Sequence, residues 1–232
     1  MSDHPKGGRN RLVKSHRVVD RQKNPPPGEV PVPFLYPVIL RVPSIVTGLK
    51  GRGKVKALSR VARIAVDRSA DLARLPSVEF LKNHRGAPLP SRGVFWSLAH
   101  KPEAVAGIAA AVPVGIDIER LQHRSAGLFR KIATVEERRL LDRISDPVLA
   151  FHRCWTAKEA VLKAAGVGLA RLSDCRIQWA GDNTSTGVAF DGRRWTVSHM
   201  QWDGHLAAVT SHDMAVNWTI GEAEGPTEEP SA

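Results

Sequence analysis

The chain has 232 residues, 42% of them hydrophobic, and a formal net charge of +11. That length suits one large domain or two small lobes with an ordinary buried core. Two cysteines exclude a disulfide framework and no paired C-x-x-C suggests zinc, while the longest uncharged run, Ala104–Ile116, is shorter than the ~20 residues of a membrane helix.

Residues 1–32 are basic, then proline-rich, and read as an extended or disordered tail. They hold no hydrophobic signal-peptide core, so a reducing cytoplasm is the expected location, with no membrane contact. Leu35–Val42 is predicted as a strand with Pro37 near its start. Residues 54–75 are predicted as a helix with Val55, Leu58, Val61, Ala62, Ala65 and Ala70 facing inward. Residues 85–90 form a turn-rich loop, followed by strands at 94–98 and 105–111 and, after Pro113, at 114–119. Residues 128–144 read as a helix with Glu136, Glu137, Arg138 and Arg139 on its solvated face. A second helix spans 150–165, with Cys154 as a small core residue and Gly166 as its stop. Short strands are expected at 175–180, 187–190, 195–199, 206–209 and 215–220, with a hairpin turn at Asp191-Gly192. Residues 221–232 are acidic and read as disordered. The basicity therefore belongs to the body as well as to the N-terminal tail, and favours polyanionic partners.

Three carboxylates in two of these segments carry the chemistry. In the strand 114–119, successive side chains alternate, so Asp117 and Glu119 share one face and Ile116 and Ile118 point the other way into a core. In the second helix Glu159 and Lys163 lie on one stripe, four residues apart. Separately, each pair is what a half-solvated strand or an ordinary helix surface shows. Brought together, the three acids would form an all-oxygen site with open positions. Such a site suits a hard divalent cation that also binds phosphate oxygens.

The order of these segments resembles the 4′-phosphopantetheinyl transferases. Gly115-Ile116-Asp117-Ile118-Glu119 resembles that family's G-[VI]-D-[IVL]-E strand. Trp155-Thr156-Ala157-Lys158-Glu159-Ala160-Val161-Leu162-Lys163 resembles its W-[TS]-x-K-E-A-x-x-K helix, and Phe95–His100 its S-x-S-H element. The resemblance runs from about Gly86 to Leu169, and the length resembles the long, pseudo-dimeric type that activates surfactin synthetase. It implies an α+β fold of two similar lobes about a pseudo-twofold axis, each a small, mainly antiparallel sheet with packed helices. Residues 33–112 would form a coenzyme-binding lobe and 113–220 a lobe with the metal and catalytic motifs. It implies transfer of the 4′-phosphopantetheine group of coenzyme A to a serine of an apo acyl or peptidyl carrier protein, an acidic partner, by a monomer. The ion would be Mg²⁺, with Mn²⁺ as the alternative, held by Asp117, Glu119 and Glu159. Glu159 and Lys163 would be catalytic, with the serine's proton leaving to Glu159 directly or through a water. His100, Lys158, Lys163, Arg85, Gly86 and Pro88 would bind the coenzyme. Ser97 and Trp155 read as structural.

Two departures fall on coenzyme binding. Ala99 stands where the family's serine precedes the histidine. Ala87 stands where the family's G-[KR]-P loop has a base, so that Lys82, Arg85 or Arg92 would have to replace the charge. Lys56, Arg60 and Arg63 on the first helix are further candidates for a phosphate, against the plainer reading of a solvated basic face. Two rival functions remain at this level. One is a basic nucleic-acid-binding module, opposed by the lack of a recognisable motif and by only 6% aromatic residues. The other is a metal-dependent phosphohydrolase using the same acids.

Overall fold

Two sheets, each covered on one side by one long helix, organise residues 33–181 and 184–223, which the computed structural model describes. Residues 1–32 and 224–232, most of the two expected tails, lie outside the described residues, while Gly221 and Glu222, expected in the C-terminal tail, form the end of the last strand. The strand expected over 35–42 is two pieces, β1 (Phe34–Leu35) and β2 (Val38–Arg41). Pro37 has no N–H to donate and interrupts the ladder between them. The expected strand 215–220 breaks in register with it, into β10 (Ala215–Val216) and β11 (Thr219–Glu222). β10 runs parallel to β1, and β11 runs parallel to β2.

The first sheet has the order β11-β2-β4-β3, with β3 at Phe95–His100 and β4 at Ala104–Ala110. α1 (Ser44–Thr47) leads into α2 (Gly51–Leu72), which covers this sheet. Val55 was expected to face inward but is 56% exposed, and Val66 and Ser69 are buried instead. Ser69 Oγ accepts the β4 amide of Ala109 at 3.0 Å, a polar tie inside an apolar layer.

The second sheet has the order β5-β9-β8-β7-β6 and is antiparallel throughout. Its strands are β5 (Ile116–Arg120), β6 (Arg176–Ala180), β7 (Ser185–Phe190), β8 (Arg193–Trp202) and β9 (His205–Thr210). Asp191 and Gly192 both take positive φ, as a type I′ hairpin requires. Asp203 and Gly204 repeat that geometry between β8 and β9.

The single helix expected over 128–144 is two, α3 (Ala126–Ile132) and α4 (Val135–Leu141). Thr134 starts the second with a capping box: its Oγ1 accepts the Glu137 amide at 3.2 Å and Glu137 Oε2 accepts the Thr134 amide at 2.7 Å. Glu137 is buried, not on the solvated face with Glu136 and Arg139. α5 (Pro147–Ala164) is capped by Asp146, whose Oδ1 accepts the Val148 amide, and has Pro147 at its first turn. A 3₁₀ turn at Leu169–Asp174 follows.

The cores show the layering. α2 packs on one face of the first sheet through Val61, Ala65, Val105 and their neighbours. The other face contributes Ile39, Ala106 and Ile108 to a core shared with Ile116, Ile118, Ala207 and Val209 of the second sheet. α5 covers the far face of the second sheet through Ala157, Ala160, Val161 and Ala208. The molecule is thus α+β. The alternation expected along β5 is realised, with its isoleucines between the sheets and its acids turned towards α5.

Candidate active site

The acid strand is anchored at its entrance. Ser97 Oγ on β3 accepts the Ile116 amide at 3.1 Å, and Thr210 Oγ1 accepts the Gly115 amide at 3.0 Å. Gly115 is required here by space. A Cβ on it would lie 1.9 Å from the Ala160 carbonyl oxygen, so only glycine lets α5 press onto this end of the strand. That close crossing brings Glu159 and Lys163 over Asp117. Lys163 Nζ donates to Asp117 Oδ1 at 2.9 Å and to the Ile116 carbonyl at 3.0 Å.

Two residues along, Glu119 Oε1 meets Lys101 Nζ at 2.6 Å and accepts the Trp155 indole N–H at 3.2 Å. Trp155, expected to be structural only, is therefore a polar contact of the acid row as well. Its position on α5 one turn before Glu159 is the signal that places it there. Asp117 is 6% exposed, and burial raises its carboxyl above the usual range, with Lys163 opposing. Glu159 is pushed up to about 7, first by burial and then by the negative charge of Asp117, with Glu119 adding to it against Lys163 and Lys101. His100, half-buried at the end of β3, is held below its ordinary value by burial and then by Lys163 and Lys101, so it is neutral near pH 7.

These features bear on whether the acids suit a divalent cation. Asp117 Oδ2 is buried and has no hydrogen-bond partner, and the three carboxylates raise one another's negative potential. Both are what a cation would relieve. As they stand, Lys163 and Lys101 each take one oxygen of the row, and no three acidic, histidine or cysteine side chains among the described residues close on a common point. The donor chemistry, all carboxylate oxygen, is of the kind a hard divalent ion takes.

Two cavities are lined by members or partners of the row, one by Lys163 and the other by Glu119. The larger, about 670 Å³, is lined by Lys163, the Gly166–Gly168 turn, Arg171, Ser97 and the 85–88 loop with Lys82. Asn83 builds that loop by accepting the amides of Arg85 and Ala87, and Gly86 sits at φ +80°. Of the three bases that could replace the charge missing at Ala87, Lys82 and Arg85 line this cavity. Arg92 instead pairs with Glu79 at 3.0 Å. Arg171, a base with no sequence motif to mark it, also lines this cavity, stacked on Phe190 and held by Asp174. The smaller cavity, about 220 Å³, lies on the Glu119 side among Lys101, Arg124, Leu128, Phe151, His152 and Trp155.

Two expected coenzyme contacts are placed differently. Lys158 is 1% exposed and its Nζ is spent on Glu137 at 2.7 Å and on the Ile132 carbonyl at 2.7 Å, so it does not reach the cavity. His100 sits beside the acid row and outside the larger cavity's wall. Lys56, Arg60 and Arg63 are also outside that wall, and Arg63 stacks on Phe80. Ala99 is buried in the core between the sheets, where a serine hydroxyl would be enclosed by apolar groups.

The half of the chain that holds the acids has known relatives. Residues 113–215 match the model of the 4′-phosphopantetheinyl transferase superfamily. A Haemophilus influenzae protein named, provisionally, a 4′-phosphopantetheinyl transferase is 44% identical over 100 residues, 43% of this chain and 42% of that one. The 4′-phosphopantetheinyl transferase HetI of Nostoc is 32% identical over 110 residues, covering 43% of this chain and 46% of its own. The 4′-phosphopantetheinyl transferase gsp of Aneurinibacillus migulanus is 30% identical over 95 residues, 40% of each chain. The chain thus spans less than half the length of the curated relatives it matches. Over residues 113–215, which hold all three acids, the chain is similar to the 4′-phosphopantetheinyl transferase superfamily.

Proposed function

We propose that this protein transfers the 4′-phosphopantetheine group of coenzyme A to a serine of an apo acyl or peptidyl carrier protein, with Mg²⁺ as the ion and adenosine 3′,5′-bisphosphate as the leaving group. The observation that carries this reading is the row Asp117, Glu119 and Glu159, whose Lys163 partner lines a basic cavity and whose Glu119 lines a second, smaller one. Asp117, Glu119 and Glu159 are the residues that would hold the ion. A bound divalent cation supplies charge neutralisation and in-line orientation at the diphosphate.

The chain's own groups do the rest. Lys163, lining the larger cavity beside Asp117, places a positive charge where the diphosphate gathers negative charge. Lys82 and Arg85 face the same space and hold the coenzyme's phosphate end, with Gly86 and Pro88 shaping the wall. Neutral His100, beside the acid row and outside that cavity's wall, offers a hydrogen bond there without adding charge. Glu159 receives the proton of the attacking serine, directly or through a water. The smaller cavity, with Arg124 at an apolar wall of Leu128, Phe151 and Trp155, is the side from which an acidic carrier presents its serine.

The two helix-covered sheets accord with the two-lobed, pseudo-twofold arrangement of the long type, acting as a monomer with its lobes meeting near Pro113. No helix among the described residues is long and apolar enough to cross a membrane; a cytoplasmic site of action goes with this reading.

Mass spectrometry of an apo carrier protein incubated with coenzyme A, Mg²⁺ and this protein tests it. One phosphopantetheine arm is expected on the carrier, and a chelator abolishes the addition. Phosphate released without any carrier would point to a hydrolase. Salt-dependent nucleic-acid binding with no reaction of coenzyme A would point to a binding module.

A further inference from the structure

Lys158 precedes Glu159 on α5, and the site just described makes no use of it. Its ammonium is enclosed, and both of its contacts are internal: the Glu137 carboxylate on α4 and the carbonyl of Ile132 at the end of α3. Glu137 is equally committed. Its Oε1 also accepts the Ile177 amide of β6 at 2.7 Å, and its Oε2 caps α4 at Thr134. One ion pair therefore ties α5 to α3, α4 and an edge strand of the second sheet. Neighbouring residues on a helix point about 100° apart, so fixing the direction of Lys158 fixes that of Glu159. A buried charge pair is a poor source of net stability compared with apolar side chains of similar volume. Its geometric demand, by contrast, is strict, because neither charge tolerates losing its partner.

We infer that Lys158 and Glu137 are positioning residues. The pair holds α5 at the rotation that turns Glu159 and Lys163 onto Asp117, and Lys158 is not a phosphate ligand. This rests on the proposed transfer reaction for its kinetic consequence, but its structural consequence can be read independently. The Trp155 indole, one turn from Glu159 on the same helix and bonded to Glu119, reports the helix's rotation.

The test compares the wild-type protein with Lys158→Met and with the double variant Glu137→Gln/Lys158→Met. The single change strands a buried carboxylate and is expected to lower the thermal midpoint by roughly 10 °C. The double change leaves no unpaired charge and keeps one amide oxygen to accept either the Thr134 or the Ile177 amide, so the midpoint recovers part of that loss. In the recovered double variant, a positioning role predicts coenzyme A affinity by calorimetry within about threefold of wild type and transfer turnover down roughly 10–100-fold. It also predicts a displaced Trp155 indole N–H resonance in the ¹⁵N spectrum. Coenzyme affinity weakened tenfold or more would make Lys158 a ligand after all and overturn the inference. Unchanged turnover, or an unmoved indole resonance, would reduce the pair to a structural contact and overturn it as well. If wild-type protein neither binds coenzyme A nor transfers, the proposed function fails. The indole shift alone then decides whether the pair orients α5.

Discussion

α2 on the first sheet and α5 on the second are laid down by the same device. Each strand under the crossing has a glycine whose missing Cβ admits the helix backbone. A Cβ on Gly107 of β4 would lie 2.5 Å from the Val66 nitrogen, and one on Gly115 would lie 1.9 Å from the Ala160 oxygen. The helices differ in what they carry inward. α2 buries Leu58, Val61, Ala65 and Val66 with the one hydroxyl of Ser69, and leaves Arg52, Lys56, Arg60 and Arg63 in solvent. α5 buries His152, Arg153 and Lys158, and holds Glu159 and Lys163 over the acids of β5. The two internal cations are held differently: Arg153 donates to Thr186 Oγ1 and the Ser185 carbonyl, and Lys158 meets the Glu137 carboxylate. Burying ions costs free energy unless partners offset it. The cost is met on the helix that faces the acids and avoided on the helix that serves only as a cover.

The largest way to sharpen that contrast is to remove an acid. Asp117→Ala or Glu159→Ala should lower transfer by about a thousandfold or more, as loss of charge stabilisation at a phosphoryl site does. The thermal midpoint should hold or rise slightly, because burial disfavours both carboxylates. Arg60→Ala and Arg63→Ala on α2 should leave transfer within about twofold. A comparable loss from either would give α2 a role in the chemistry and break the comparison.

The two glycines come next. Gly107→Ala and Gly115→Ala should each cost about 1–3 kcal/mol in denaturant unfolding, since a backbone must move to admit the methyl. Only Gly115→Ala should also lower transfer per folded molecule, by lifting Glu159 and Lys163 off Asp117. Equal activity in the two folded variants would contradict the placement of the site.

The pH effect with the clearest sign lies in the layer under α5. His199 is buried beside Arg153, accepts or donates at Thr186 Oγ1 at 3.0 Å, and is pushed from 6.5 down to about 3 by burial and then by that arginine. The unfolded chain takes up a proton near pH 6.5 that the folded one refuses. Stability from this group is therefore full above 6.5 and is lost as the pH falls towards 3, by up to about 1.4 kcal/mol per pH unit. His199→Gln should flatten the profile across that window, and an unchanged slope would assign it to other groups. The smallest effect is expected at Val55→Ser on the exposed face of α2, within about 0.5 kcal/mol by denaturant midpoint.

Alternation and helical spacing are local properties of the chain, and they placed much of this molecule correctly. Asp117 and Glu119 do share a face, Ile116 and Ile118 do enter a core, and Gly166 does end α5 with a positive φ. The errors share one cause. Pro37 was visible, but its effect on the ladder depended on the matching break at Asn217-Trp218 in a distant partner. Val55 fits an apolar stripe by spacing, yet no sheet lies beneath it. Glu137 looked like one of four charges on a wet surface. The capping box at Thr134 was its local signal, but its burial came from Lys158 and the Ile177 amide.

The chain by itself determined which residues are acidic, which face each takes within its own element, and where most elements start and stop, because those depend on neighbours a few positions away. Tertiary structure alone decided that Lys163 rests on Asp117, that Lys158 turns inward, and that Trp155 meets Glu119. Those contacts depend on how closely α5 can approach β5, a distance set by the bare backbone at Gly115.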